Sequence, residues 1–139
     1  MKVFLDTNVI ASATATRGLC ADVMRSAIEF HELVVSEHLL DETRRILKDK
    51  FGASPGLIAD LDQLLRQDTF MADSRPLLEL SIKDAADKAI ITAAVNGGAE
   101  VLVTGDKEML ALKRVDRLDI ITPRQFWERE KSRKYHPVS

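Results

Sequence analysis

Apolar runs and polar breaks alternate along the chain with two periods, one suited to strands and one to helices. Lys2 to Leu5 is a short β-prone run that stops at Asp6-Thr7-Asn8, residues that favour turns and helix starts. A strand followed by a loop or helix start is predicted there. From about Gly18 to Phe30, Leu19, Val23 and Ile28 recur at helical spacing, and Leu33-Val34-Val35 then forms a second β-branched run. Ser36 is placed to cap a helix with Glu37 in its first turn and Leu39, Leu40, Thr43, Ile46 and Leu47 on its buried side. The pattern breaks at Gly52-Ala53-Ser54-Pro55-Gly56, and Pro55 suits the start of a helix carrying Leu57, Ile58, Leu61, Leu64 and Leu65. Phe70-Met71-Ala72 reads as a short strand, and a helix from Asp84 to Asn96 ends at Gly97-Gly98. Glu100 to Thr104 is the clearest strand; Gly105-Asp106 turns the chain and Lys107 to Leu112 returns to helix. Leu118 to Thr122 gives a last strand, and Pro123 opens a helix containing Phe126 and Trp127.

Strands alternating with helices predict the α/β class, a three-layer α/β/α sandwich around a central parallel sheet. Ligands of such sheets sit beyond the carboxyl ends of the strands. Two acids fall there: Asp6 after the first strand and Asp106 after the strand ending at Thr104.

The length of 139 residues fits a single domain, residues 1–139, with a flexible basic tail expected from about 130 to 139. Hydrophobic residues at 45% and charged residues at 30% allow a buried core and argue against a disordered chain. One cysteine, Cys20, excludes an intramolecular disulfide; with no signal-peptide core and no apolar run of membrane-spanning length, a cytoplasmic protein without membrane contact is expected. A formal net charge of −2 is unlike a protein that coats nucleic acid by bulk electrostatics, so any such contact must be local. The basic patches are Arg44, Arg45, Lys48 and Lys50; Lys107, Lys113, Arg114 and Arg117; and Arg124, Arg129, Lys131, Arg133 and Lys134. Each is equally readable as a solvated helix face or chain end.

Carboxylates gathered in a cleft repel one another and need a cation. Oxygen donors select hard ions, so Mg²⁺ or Mn²⁺ is expected rather than zinc, since Cys20, His31, His38 and His136 lack paired ligand spacing. Glu42, in the first turns of its helix, and Asp87, in the first turn of the helix after Asp84, can reach the same place. Asp87 precedes Ile90 and Ile91 by three and four positions, on the core-facing side, and is favoured as a ligand; Asp84 is left as a helix cap or an outer acid. Asp6 and Asp106 could themselves be caps or turn residues, and Glu42 taken alone reads as an ordinary exposed helix acid. Asn8 is a candidate to orient Asp6, and Thr104 to bond a water or a neighbouring carboxylate.

The blocks Leu5-Asp6-Thr7-Asn8-Val9-Ile10, Ser36 through Asp41-Glu42, Asp84-Ala85-Ala86-Asp87-Lys88-Ala89-Ile90 and Val103-Thr104-Gly105-Asp106-Lys107 resemble PIN-domain ribonucleases in content and order. Ile121-Thr122-Pro123 followed by Phe126 is similar to the family's closing segment. The likeness is greatest to the VapC-like toxins of toxin–antitoxin pairs. It implies a PIN-like fold and a Mg²⁺- or Mn²⁺-dependent endoribonuclease with acids matching Asp6, Glu42, Asp87 and Asp106 around the metal. It further implies a homodimer and a neutralising antitoxin. For the RNA phosphate backbone the candidates are Lys107, directly after Asp106, and Arg44 and Arg45.

Three other readings compete with this one. A dehalogenase-type phosphatase needs a second acid two positions after the first, where this chain has Asn8, and a phospho-acceptor receiver needs paired acids at the same place. The stronger rival is a PIN-like module that binds RNA or a partner with weak or no cleavage.

Overall fold

The computed structural model describes residues 1–135, with side chains through Arg133. In chain order the elements are β1 (Lys2–Leu5), α1 (Thr7–Ala15), α2 (Leu19–Phe30), β2 (Glu32–Val35), α3 (Glu37–Asp49), α4 (Pro55–Arg66) and β3 (Phe70–Met71). They continue with α5 (Ala85–Asn96), β4 (Val101–Val103), α6 (Lys107–Leu112), β5 (Arg114–Val115), β6 (Leu118–Ile121) and α7 (Pro123–Tyr135). No helix among the described residues is long and apolar enough to cross a membrane.

One sheet runs β3-β2-β1-β4-β6-β5, parallel except where β5 pairs antiparallel with β6. The strands of its centre are buried on both faces: Val3, Phe4, Leu5, Leu102 and Val103 are at most 1% exposed, which explains their continuous apolar runs. With that strand order, the right-handed rule for parallel crossovers assigns α1 to α4 to one face and α5 and α6 to the other. The expected three layers are present. α5 has Ala89 through Ala94 all buried, so it lacks a clear polar side, whereas α3 buries only Leu39, Leu40, Thr43 and Leu47. Close packing of α5 on the sheet requires glycine at its end: a Cβ on Gly97 would stand 2.3 Å from Val34 Cγ1.

Three expectations change. The segment after β1 is a full helix, α1, with Val9, Ile10 and Ala11 buried. The sheet gains the two-residue strand β5, so it is mixed at one edge rather than wholly parallel. The expected tail is helical as far as Tyr135, where Glu130 is buried and pairs with His31; His136 and the last residues lie outside the described residues. His31 is a core histidine, set edge-on against Phe126 and with Nδ1 3.3 Å from the N-terminal amine. It is tied to the amino-end side of the sheet.

Candidate active site

The strand order reverses direction beside β1. The chain moves outward through β2 and β3, then returns to place β4 on the other side of β1. Such a switch point leaves a crevice beyond the carboxyl ends of the two central strands. Leu5 is in register with Val103, so Asp6 and Thr104 leave the sheet side by side.

Asp6 is only 5% exposed, and both of its carboxylate oxygens are held. Oδ1 accepts the Thr7 N–H at 2.8 Å, and Oδ2 accepts the Thr104 hydroxyl at 2.7 Å. The Thr104 oxygen in turn accepts the Asp106 N–H at 3.0 Å, which links the two central acids through one buried hydroxyl. Thr104 therefore orients Asp6. Asn8 is exposed and makes no bond to Asp6 among the described residues, so its expected orienting role is not the one the geometry supports.

Asp106 caps α6, accepting the Glu108 and Met109 N–H groups at 2.9 and 3.0 Å on Oδ1, which leaves Oδ2 without a protein donor among the described residues. Capping and a place in the crevice coexist in one side chain. Asp84 is the cap of α5, with Oδ1 accepting from Ala86 and Asp87 at 2.8 and 3.1 Å. Asp87, half-buried one step inside, has its carboxyl pushed up to about 6, first by desolvation and then by the charges of Asp106, Asp84, Asp6 and Glu108. Burial likewise raises the Asp6 carboxyl, against the pull of its bonds to Thr104 and Thr7 and with the added push of Glu42 and Asp106.

Glu42 reaches this group from α3. Its Oε1 accepts the Thr7 hydroxyl at 2.9 Å, so the residue next to Asp6 in sequence also fastens Glu42. His38 Nε2 stands 3.1 Å from Glu42 Oε2, close enough for an ion pair when protonated but not aligned for a hydrogen bond. Thr7 and His38 are additions to the expected site. The i,i+4 spacing of His38 and Glu42 was a usable signal; Thr7 had none, since its pairing spans elements distant in sequence.

The donor set fits a hard divalent cation. Asp6, Asp87 and Asp106 have no Lys or Arg within ion-pair distance among the described residues, yet they raise one another's proton affinity. No three acids or histidines among the described residues stand close enough to enclose a bare ion. Mg²⁺ requires no such cage, because it keeps several waters and takes one or two carboxylates together with substrate phosphates.

An open groove of about 470 Å³ runs from Glu42 and Asp87 between the C-terminal half of α3 and the start of α5, with Arg45 and Lys50 on its wall. Arg44 points elsewhere. It pairs with Asp41 at 3.2 Å and with Asp62 of α4 at 3.4 Å, beside an Arg66 that binds both Asp62 and Glu37 at 2.8 Å. That network joins α3 to α4 and engages Arg44, which was expected at a phosphate, away from the groove that Arg45 lines. Lys107 is exposed at the first position of α6, next to Asp106.

A family model of the PIN domain matches residues 2–108, a stretch that includes all four acids. The chain belongs to the PIN-domain family. Among solved structures this PIN domain is similar to VapBC2 from Rickettsia felis bound to a fragment of its promoter DNA. The TM-score is 0.60 at 18% identity, over 88% of this chain and 98% of that one. It is also similar to Mycobacterium tuberculosis VapC20, a toxin that cleaves the sarcin–ricin loop, with TM-score 0.59, 18% identity and coverage of 82% and 97%. VapBC-1 from nontypeable Haemophilus influenzae gives TM-score 0.56 at 19% identity, covering 89% and 99%. At these identities the likeness is one of fold. A search of curated protein sequences finds no significant match.

Proposed function

We propose that this PIN domain is a Mg²⁺- or Mn²⁺-dependent endoribonuclease and the toxin of a toxin–antitoxin pair. The observation that carries the reading is the convergence of Asp6, Glu42, Asp87 and Asp106 at the switch point of a PIN fold, with no Lys or Arg within ion-pair distance of Asp6, Asp87 or Asp106 among the described residues. The toxin that cleaves the sarcin–ricin loop supports RNA as the substrate, and the two VapBC assemblies support a neutralising antitoxin. A homodimer working in the cytoplasm completes the reading.

In this account Asp6, Glu42, Asp87 and Asp106 would hold a hydrated cation, one or two of them directly and the others through its waters, with Asp84 serving as the α5 cap that keeps Asp87 in the first turn. When bound, Mg²⁺ or Mn²⁺ supplies Lewis-acid stabilisation of charge on the phosphate oxygens and activation of a water nucleophile. Thr104 and Thr7 fix the Asp6 and Glu42 carboxylates before substrate arrives, so little reorganisation is needed during the reaction. Lys107 is placed to meet a phosphate on the Asp106 side.

The test is cleavage of end-labelled RNA, with matched DNA as comparison, in Mg²⁺, Mn²⁺ and EDTA, together with induced expression in bacterial cells. Cation-dependent RNA cleavage and growth arrest are expected, both lost in Asp106→Asn. RNA binding without cleavage under every cation would leave a binding module in place of an enzyme.

A further inference from the structure

The groove beside the acids has a polarity that the acids alone do not explain. Successive residues of an α-helix turn by about 100° and rise about 1.5 Å. Measured from Glu42, Asp49 lies nearly in line along the groove, while Arg45 and Lys50 flank that line at roughly −60° and +80°. Arg45 is about 4.5 Å from Glu42 along the axis and Lys50 about 12 Å. Both cations are exposed and make no ion pair among the described residues, in contrast to Arg44. An acidic site with two unengaged cations set at increasing distance along one wall suits a polyanion that enters at the acids and leaves along the helix.

We propose that the groove between α3 and α5 is the exit path of a single RNA strand, with Arg45 and Lys50 binding successive phosphates on one side of the cut. The inference rests on the nuclease reading. Stacked nucleotides advance about 3.4 Å per residue, so the strand meets Lys50 about three to four nucleotides from the acids, whereas Arg45 lies within reach of the first. Asp49, on the same wall, repels the backbone between these two contacts and limits affinity.

The experiment measures binding of a labelled single-stranded RNA 20-mer and of a dinucleotide by fluorescence anisotropy. The background is the full chain carrying Asp106→Asn with Mn²⁺ present, titrated across salt concentrations. Arg45→Ala and Lys50→Ala should each weaken 20-mer binding several-fold and lower the slope of log K against log salt by about 0.7. Lys50→Ala should leave dinucleotide binding unchanged, Asp49→Asn should tighten the 20-mer, and Arg44→Ala should behave as the parent. Parent-like 20-mer binding by Arg45→Ala and Lys50→Ala, or an equal loss in Arg44→Ala, overturns the path. Absence of cleavage by the wild-type chain, with the binding pattern intact, would instead count against the nuclease reading.

Discussion

The hydroxyl of Thr104 donates a 2.7 Å hydrogen bond to Oδ2 of Asp6, joining the ends of two neighbouring parallel strands at the point where the sheet changes direction. Both residues are buried, and the same oxygen of Thr104 takes the Asp106 N–H. A nearly isosteric Thr104→Val change would leave a buried carboxylate oxygen and a backbone N–H without partners. The expected cost is about 1–3 kcal/mol in urea unfolding at neutral pH. Loss of cleavage should be roughly 10- to 100-fold, with Thr104→Ser recovering most of both.

Asp87 connects the site to pH. Its carboxyl is raised from 3.8 to about 6 in the folded chain, so below pH 3.8 it is protonated in both states and its burial carries no charge penalty. As pH rises from about 3.8 to about 6 the unfolded chain releases this proton while the folded chain retains it, so stability falls across that window and levels off above about 6, where both states carry the charge. Asp6, raised in the same direction, adds to the effect. Thermal melts in EDTA should therefore show Asp87→Asn equal to wild type near pH 4 and higher by about 1–4 °C near pH 8.

Added Mn²⁺ should reverse that order. A cation that binds only the folded site stabilises it by mass action, so wild type gains in melting temperature with increasing Mn²⁺. Asp87→Asn and Asp106→Asn should gain less. Equal gains in all three would separate cation binding from these acids.

Gly97 provides a stability change away from the crevice. Alanine there would drive a Cβ into Val34 Cγ1, so Gly97→Ala should cost about 1–3 kcal/mol by denaturant unfolding. Cleavage per folded molecule should stay near wild type, because α5 is displaced at its C-terminal end while Asp87 lies in its first turn.

Much of this was legible in the residues, for physical reasons. β1 and β4 are buried on both faces and so appear as unbroken apolar runs, each closed by a polar turn that carries its acid. Ser36 and Asp84 act as the caps their positions suggested. α1 was hidden because Thr7–Ala15 has no charged residue to mark a polar face and intersperses its alanines with Thr, Asn, Val, Ile and Ser, which form helices less well; it packs against α2 and α3. β5 is too short at two residues to show a period. The roles of Thr7 and Arg44 were illegible for another reason: each is set by a partner supplied by a distant part of the chain. Thr7 meets Glu42 across 35 positions and Arg44 meets Asp62 across 18.

The most direct measurement is single-turnover RNA cleavage against Mn²⁺ concentration for wild type, Asp6→Asn, Glu42→Gln, Asp87→Asn and Asp106→Asn. The crevice account predicts no cleavage in EDTA, saturable Mn²⁺ dependence in wild type, and a large rate loss in each variant with a shift to higher Mn²⁺. Cleavage that persists in EDTA, or that is the same in wild type and in the Asp6 and Asp106 variants, would contradict it.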